Sequence, residues 1–167
     1  MLVLASQVAL IMIGGVWTLL KTKREIIINT LGKKAMGLAL IVATGATLGS
    51  LFYSEVMGLA PCQLCWYQRI LMYPQVIILL VVLRQKRGYS WESGVAAGIG
   101  GIISAYHYLL QRSAVPNYFC NAVGYSESCS TFFEMTYGYI TIPLMALTAF
   151  VMIIGLNYLG WRWIKKG

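Results

Sequence analysis

The sequence predicts an all-α integral membrane protein, and three observations predict it. Hydrophobic residues make up 59% of the 167 and charged residues only 11%, against roughly 25% charged in an ordinary soluble domain. The apolar residues gather into five runs, at 2–20, 36–54, 66–83, 94–111 and 139–159. At ~1.5 Å of helical rise per residue each run matches the ~30 Å hydrocarbon core of a bilayer. The thirteen Lys and Arg residues stand at the ends of these runs. A net charge of +8 therefore does not mark a nucleic-acid binder, which would gather its basic residues with aromatics into a patch.

Run 2–20 is followed, not preceded, by Lys21, Lys23 and Arg24. A secretory signal has the opposite order, so a retained helix with its N-terminus outside is expected. Run 36–54 follows Lys33 and Lys34; run 66–83 holds Pro74, an expected kink, and is closed by Arg84, Lys86 and Arg87. Run 94–111 is glycine-rich, and run 139–159 ends at Trp161, Arg162, Trp163, Lys165 and Lys166. Gly45 and Gly49, and likewise Gly94 and Gly98, are four apart, a weak sign of close helix approach.

Charge fixes the expected orientation, because Lys and Arg in short loops stay cytoplasmic. Residues 21–34 carry five, 84–87 three and the C-terminus three, which is eleven of thirteen on one side; only Arg69 and Arg112 fall on the other. The C-terminus is then cytoplasmic, and both cysteine-bearing loops lie outside, where disulfides persist. The longest segment between runs, residues 112–138, is too short for a core of its own.

The chemistry centres on Pro61-Cys62-Gln63-Leu64-Cys65-Trp66-Tyr67-Gln68-Arg69, at the junction of a loop and an apolar helix. Two cysteines separated by two residues can close a small disulfide ring, and the second, expected to open the helix, has its thiolate stabilised by unpaired N–H groups and the positive end of the dipole. The second pair, Cys120 and Cys129, has eight residues between its members. Taken alone it reads as a staple for an exterior loop. Beside the first pair it also reads as a partner in thiol–disulfide exchange. Four-cysteine zinc binding is disfavoured because eight residues are too many for a second knuckle, and a c-type haem would need a histidine where Trp66 stands.

Residues 49–74, which contain this motif and then Ile70-Leu71-Met72-Tyr73-Pro74, resemble the DsbB family of membrane disulfide bond formation proteins, and more closely its BdbC-like branch. Tyr106-His107-Tyr108-Leu109, the outer cysteine pair and Tyr139-Ile140-Thr141-Ile142-Pro143 extend the resemblance over about residues 36–160. It implies a bacterial plasma-membrane protein with a four-helix bundle in residues 36–167. Residues 1–35 are then an additional N-terminal helix and a basic cytoplasmic linker. It implies a thiol:quinone oxidoreductase: Cys120 and Cys129 oxidise a DsbA-like thioredoxin-fold partner, Cys62 and Cys65 reoxidise them, and a membrane quinone, ubiquinone or menaquinone, takes the electrons. Arg69 falls on the family's quinone-associated arginine. No metal is implied, and the loop pair is closer together than in the best-known members.

The residues reach a similar conclusion separately. Driving disulfides into client proteins requires a partner near −120 mV against about −270 mV for a thioredoxin, roughly 7 kcal/mol for two electrons. Some acceptor must remove those electrons, and no Gly-x-Gly-x-x-Gly after a strand offers a dinucleotide site. A lipid-soluble quinone needs no such motif. Arg69 lies four residues beyond Cys65, on the same helix face and ~6 Å further along. His107 is expected at similar depth, and together the two would frame the quinone head group; the alternatives are an arginine reaching lipid phosphates and a structural histidine. Two other functions stay open, a relative of vitamin K epoxide reductase and a non-enzymatic assembly protein with permanent disulfides.

Overall fold

Residues 35–51 contain no proline to break a helix, and α1 (Lys21–Leu51) passes through them without interruption. The computed structural model describes residues 21–58, 60–112 and 141–165, with side chains from residue 30 onward. The expected helix over residues 2–20 and both loop cysteines, Cys120 and Cys129, lie outside the described residues. At 31 residues, α1 is ~46 Å long, well beyond a ~30 Å core. The basic stretch 21–35 is therefore helical and continuous with the span, with Lys33 and Lys34 exposed.

A π-helical turn, Phe52–Val56, follows α1. Side-chain donors fill carbonyls at this change of pitch: the Ser54 hydroxyl donates to Ser50 O (3.4 Å) and to Leu51 O (3.2 Å). Gly58, at φ 67°, then turns the chain out of the helix, a left-handed conformation that glycine adopts without steric cost.

Helix α2 (Gln63–Arg84) starts three residues before the expected position and continues through Pro74. Helix α3 (Trp91–Gln111) is capped by Ser90, whose hydroxyl accepts from Ser93 N at 3.1 Å. Helix α4 (Ile142–Ile164) carries Pro143 in its first turn, where a missing N–H costs nothing. All four helices are long and apolar enough to cross a membrane, and among the described residues there is no strand.

The short links on either side of α2 make α1, α2 and α3 successively antiparallel, and each helix packs on its sequence neighbours while α1 also packs on α4. The cycle is α1–α2–α3–α4, with α2 and α4 barely touching across the diagonal. Buried residues follow the helical repeat, as on α2 with Leu64, Gln68, Met72, Gln75, Leu79 and Val82. Phe150, Ile153, Leu79, Met72 and the small residues Ala35, Ala39, Ala43 and Ala97 fill the centre.

The glycine spacing points to the wrong positions. Around Gly45, Gly49, Gly94 and Gly98 there is nothing within 4 Å of an added side-chain carbon. Close approach occurs instead at Gly100, against the Phe150 ring, and at Gly160, against the Gly88 carbonyl. Small-residue spacing shows that a helix face is narrow, not which neighbour lies against it.

A buried polar cluster ties α2, α3 and α4 together near the basic end. Ser93 Oγ donates to Gln75 Oε1 (2.6 Å), Gln75 Nε2 to Ser93 O (3.1 Å), and Asn157 Nδ2 to Ser93 Oγ (3.2 Å). Asn157 Oδ1 accepts from Ser90 N at 2.9 Å. Asn157→Ala strands that buried N–H, so it should cost about 1–3 kcal/mol. Thermal unfolding in detergent measures this, and an unchanged midpoint would contradict the account.

Candidate active site

The motif residues gather at the opposite end of the bundle from Lys33, Lys34, Arg84 and Lys165. Cys62 is the N-cap of α2: its backbone is extended (φ −72°, ψ 172°) and its sulfur accepts from Cys65 N at 3.4 Å. The cysteine that meets the helix N-terminus is thus the first of the pair, and Cys65 lies one turn inside. A cysteine is not among the usual capping residues, so spacing alone could not put the helix start there.

The two cysteines are free thiols with sulfurs 3.0 Å apart. Cys62 is buried and Cys65 half-buried. From α3, His107 turns Nε2 to within 3.7 Å of Cys62 Sγ. His107 is 1% exposed, and its other ring nitrogen, Nδ1, is 3.0 Å from Gln68 Nε2 on α2. Donation by the Gln68 amide to Nδ1 leaves the ring proton on Nε2, the nitrogen that faces the sulfur. Leu64 and Leu110 are buried around the pair, with Ile103 and Tyr106 packed against them.

This setting holds the Cys62 thiol far below its ordinary value, at about 4. The hydrogen bond from Cys65 is the largest cause, and it outweighs burial, which pushes the thiol up; His107 and the Cys65 amide add to the lowering. Cys62 is therefore a thiolate at neutral pH, the form that attacks a disulfide.

Arg69 and His107 do not meet. Arg69 reaches the other way, donating from Nη2 to Ser50 O on α1 at 3.1 Å, with its guanidinium 5.5 Å from the Trp66 ring centre. Tyr73 joins this side through its hydroxyl, 3.4 Å from Ser50 Oγ. Residues 68 and 69 are ~100° apart around a helix, so Gln68 addresses α3 while Arg69 addresses α1. Helices α1 and α3 stand across the bundle's other diagonal, without contact.

Gln68 is the site residue that sequence reasoning misses. It lies three residues past Cys65 and beside Arg69, but nothing in the sequence pairs it with residue 107. Gln68→Ala should slow alkylation of reduced Cys62 below pH 4 up to roughly tenfold, the equivalent of one lost hydrogen bond. Mass-resolved iodoacetamide kinetics give the rate; an unchanged rate would mean that Gln68 does not act on the sulfur.

A reduced cysteine pair with a buried histidine can exchange disulfides, and comparison with known proteins agrees. The sequence profile described as "Disulfide bond formation protein DsbB" matches residues 32–162. The "Probable disulfide formation protein" of Oceanobacillus iheyensis is 41% identical over 133 residues, covering 77% of this chain and 92% of that protein. The "Disulfide bond formation protein C" of Bacillus subtilis is 44% identical over 117 residues, covering 68% of this chain and 83% of that protein. The "Probable disulfide formation protein C" of Bacillus cereus is 41% identical over 127 residues, covering 72% and 90%. No solved structure gives a significant match. The chain, with its four apolar helices and its Cys62–Cys65 pair, belongs to the DsbB family of disulfide bond formation proteins.

Proposed function

We propose that the chain is a bacterial plasma-membrane thiol:quinone oxidoreductase that reoxidises an extracytoplasmic, DsbA-like thioredoxin-fold partner. The observation that carries this reading is the contact of Cys62 with both Cys65 and His107 in a buried site at the end of the bundle opposite Lys33, Lys34, Arg84 and Lys165. The charge asymmetry supports an extracytoplasmic position for that end and a cytoplasmic C-terminus. The Cys120–Cys129 disulfide takes two electrons and two protons from the partner's dithiol. Cys129 then exchanges with Cys62, and the equivalents pass to the Cys62–Cys65 disulfide. A membrane quinone supplies, when bound, a two-electron, two-proton acceptor.

The described residues fit such a group. Trp66 and Ile70 turn 51% and 62% of their surface outward beside Cys65. The Arg69 guanidinium offers N–H donors at the same place, of which Ser50 O takes one. Arg69 is therefore assigned to the quinone head group and His107 to Cys62, where its Nε2–H stabilises the thiolate. Family membership and the Cys62–Cys65 pair at the head of α2 favour this reading over a vitamin K epoxide reductase relative, whose pair lies late in the bundle.

The test is to mix purified protein, a reduced thioredoxin-fold partner and quinone. One partner disulfide should form per quinone reduced, and Cys129→Ser should trap the partner through Cys120. Cysteines whose redox state does not change when quinone is withheld would sink the proposal in favour of permanent structural disulfides. Arg69→Ala should raise the apparent KM for quinone about tenfold, a loss of about 1.4 kcal/mol, while the preformed disulfides still oxidise partner in a single turnover. Steady-state and single-turnover assays separate the two; the reverse pattern would remove Arg69 from the quinone side.

A further inference from the structure

We propose that the reduced form of this site binds one soft divalent cation, with Zn²⁺ the natural candidate, through Cys62 Sγ, Cys65 Sγ and His107 Nε2, and that the bound ion closes the pair to transfer. The three donors lie within 4.8 Å of one another. Two sulfurs and one imidazole nitrogen form a typical zinc donor set, with Zn–S of ~2.3 Å and Zn–N of ~2.0–2.1 Å. Tetrahedral geometry at those lengths sets sulfur and nitrogen ~3.6 Å apart and the two sulfurs ~3.7 Å apart. The Cys62–His107 separation of 3.7 Å already matches. The sulfurs, at 3.0 Å, must open by ~0.7 Å to reach that distance, which a χ1 rotation of half-buried Cys65 provides.

Two further features suit a cation. A histidine that ligates zinc is nearly always held through its other ring nitrogen, and here the buried Gln68 amide lies 3.0 Å from Nδ1; zinc at Nε2 moves the ring proton to Nδ1, and a flip of the Gln68 amide presents Oε1 to accept it. Charge gives the second. Two thiolates side by side in a buried site repel one another and are poorly solvated, whereas two thiolates, a neutral imidazole and a 2+ ion sum to zero. Binding releases the Cys65 proton and transfers no electrons. A fourth position, on the half-exposed side of Cys65, is left for water. This set is distinct from the four-cysteine site that spacing disfavours, because His107 supplies the third donor.

Binding is confined to the reduced pair, since a disulfide presents no thiolate. The ion then occupies both sulfurs, so that the pair cannot be oxidised back to the disulfide that accepts Cys129. Metal capture would hold the pair reduced whenever electrons arrive faster than they leave. The inference rests on the proposed function only for this redox gating.

Co²⁺ is the probe for the test, applied to the full chain in detergent with Cys120→Ser and Cys129→Ser so that only the first pair can ligate. On reduced protein, one Co²⁺ per chain should give thiolate-to-metal charge-transfer absorption and the intense visible bands of a tetrahedral site, both erased by Zn²⁺. Oxidised protein should show neither. His107→Ala and Gln68→Ala should each weaken Co²⁺ binding by about 10- to 100-fold, with gel filtration reporting that the variants remain folded. Bound Zn²⁺ should also protect Cys62 from iodoacetamide. Absence of the bands in reduced protein, equal bands in oxidised protein, or equal affinity in folded His107→Ala would overturn the proposal. Neither partner nor quinone enters these measurements, so quinone reduction by the four-cysteine protein stands or falls separately.

Discussion

Cys62→Ser should abolish transfer from a reduced partner to quinone, lowering turnover by at least about 10³-fold, or roughly 4 kcal/mol of transition-state stabilisation. Serine keeps the cap, because its oxygen can accept from Cys65 N as the sulfur does, so the helix should form and the variant should unfold near the wild-type temperature. What it cannot supply is the disulfide with Cys65, or the thiolate from which that disulfide forms. The Cys62 thiol is held at about 4 by the hydrogen bond from Cys65, with help from His107. The reduced pair therefore presents a thiolate throughout the range above that value and loses it as pH falls through 4. Alkylation of Cys62 in reduced wild type should be nearly flat from pH 8 to about 5, then fall about tenfold per pH unit below 4. In His107→Ala the fall should begin at higher pH, because a group that favours the anion has gone. A midpoint near that of an ordinary thiol in wild type would refute the electrostatic account. The same anion favours the reduced pair, which makes its disulfide a stronger oxidant.

Gly160→Val should remove most folded protein. A side chain at position 160 runs into the Gly88 carbonyl, and the Ala35 methyl stands 3.5 Å from where its first carbon would lie. The obstacle at Gly88 is backbone, so no rotamer change relieves it. Helix α4 must then move away from both α1 and the α2–α3 link, at a cost of roughly 3 kcal/mol or more. Gel filtration of detergent extracts reports the loss. A monodisperse variant that unfolds within about 2 °C of wild type would show that the three elements do not meet there. Gly45→Val serves as the control, since nothing lies within 4 Å of that position.

The sequence by itself determined the parts of this protein that depend on composition along the chain. Apolar runs of bilayer length and basic residues at their ends are one-dimensional properties, and they sufficed for four helices, for the helix order and for the Cys62–Cys65 pair at a loop–helix junction. Helix ends were less legible, because they depend on caps. Ser90 is an ordinary cap, but Cys62 caps α2 through sulfur, and the basic stretch 21–35, read as a linker, is the first part of α1.

Only the tertiary structure decided which side chains meet. Gln68 and Arg69 are adjacent in sequence, yet a ~100° rotation sends one to His107 on α3 and the other to Ser50 on α1. That division gives two residues of similar depth different neighbours. Gln75 and Asn157 read in sequence as blemishes in apolar runs, and their roles appear only when Ser90 and Ser93 arrive from α3. A buried polar group must find its partner in three dimensions, and the identity of that partner is set by how the helices pack, which no single run of sequence contains.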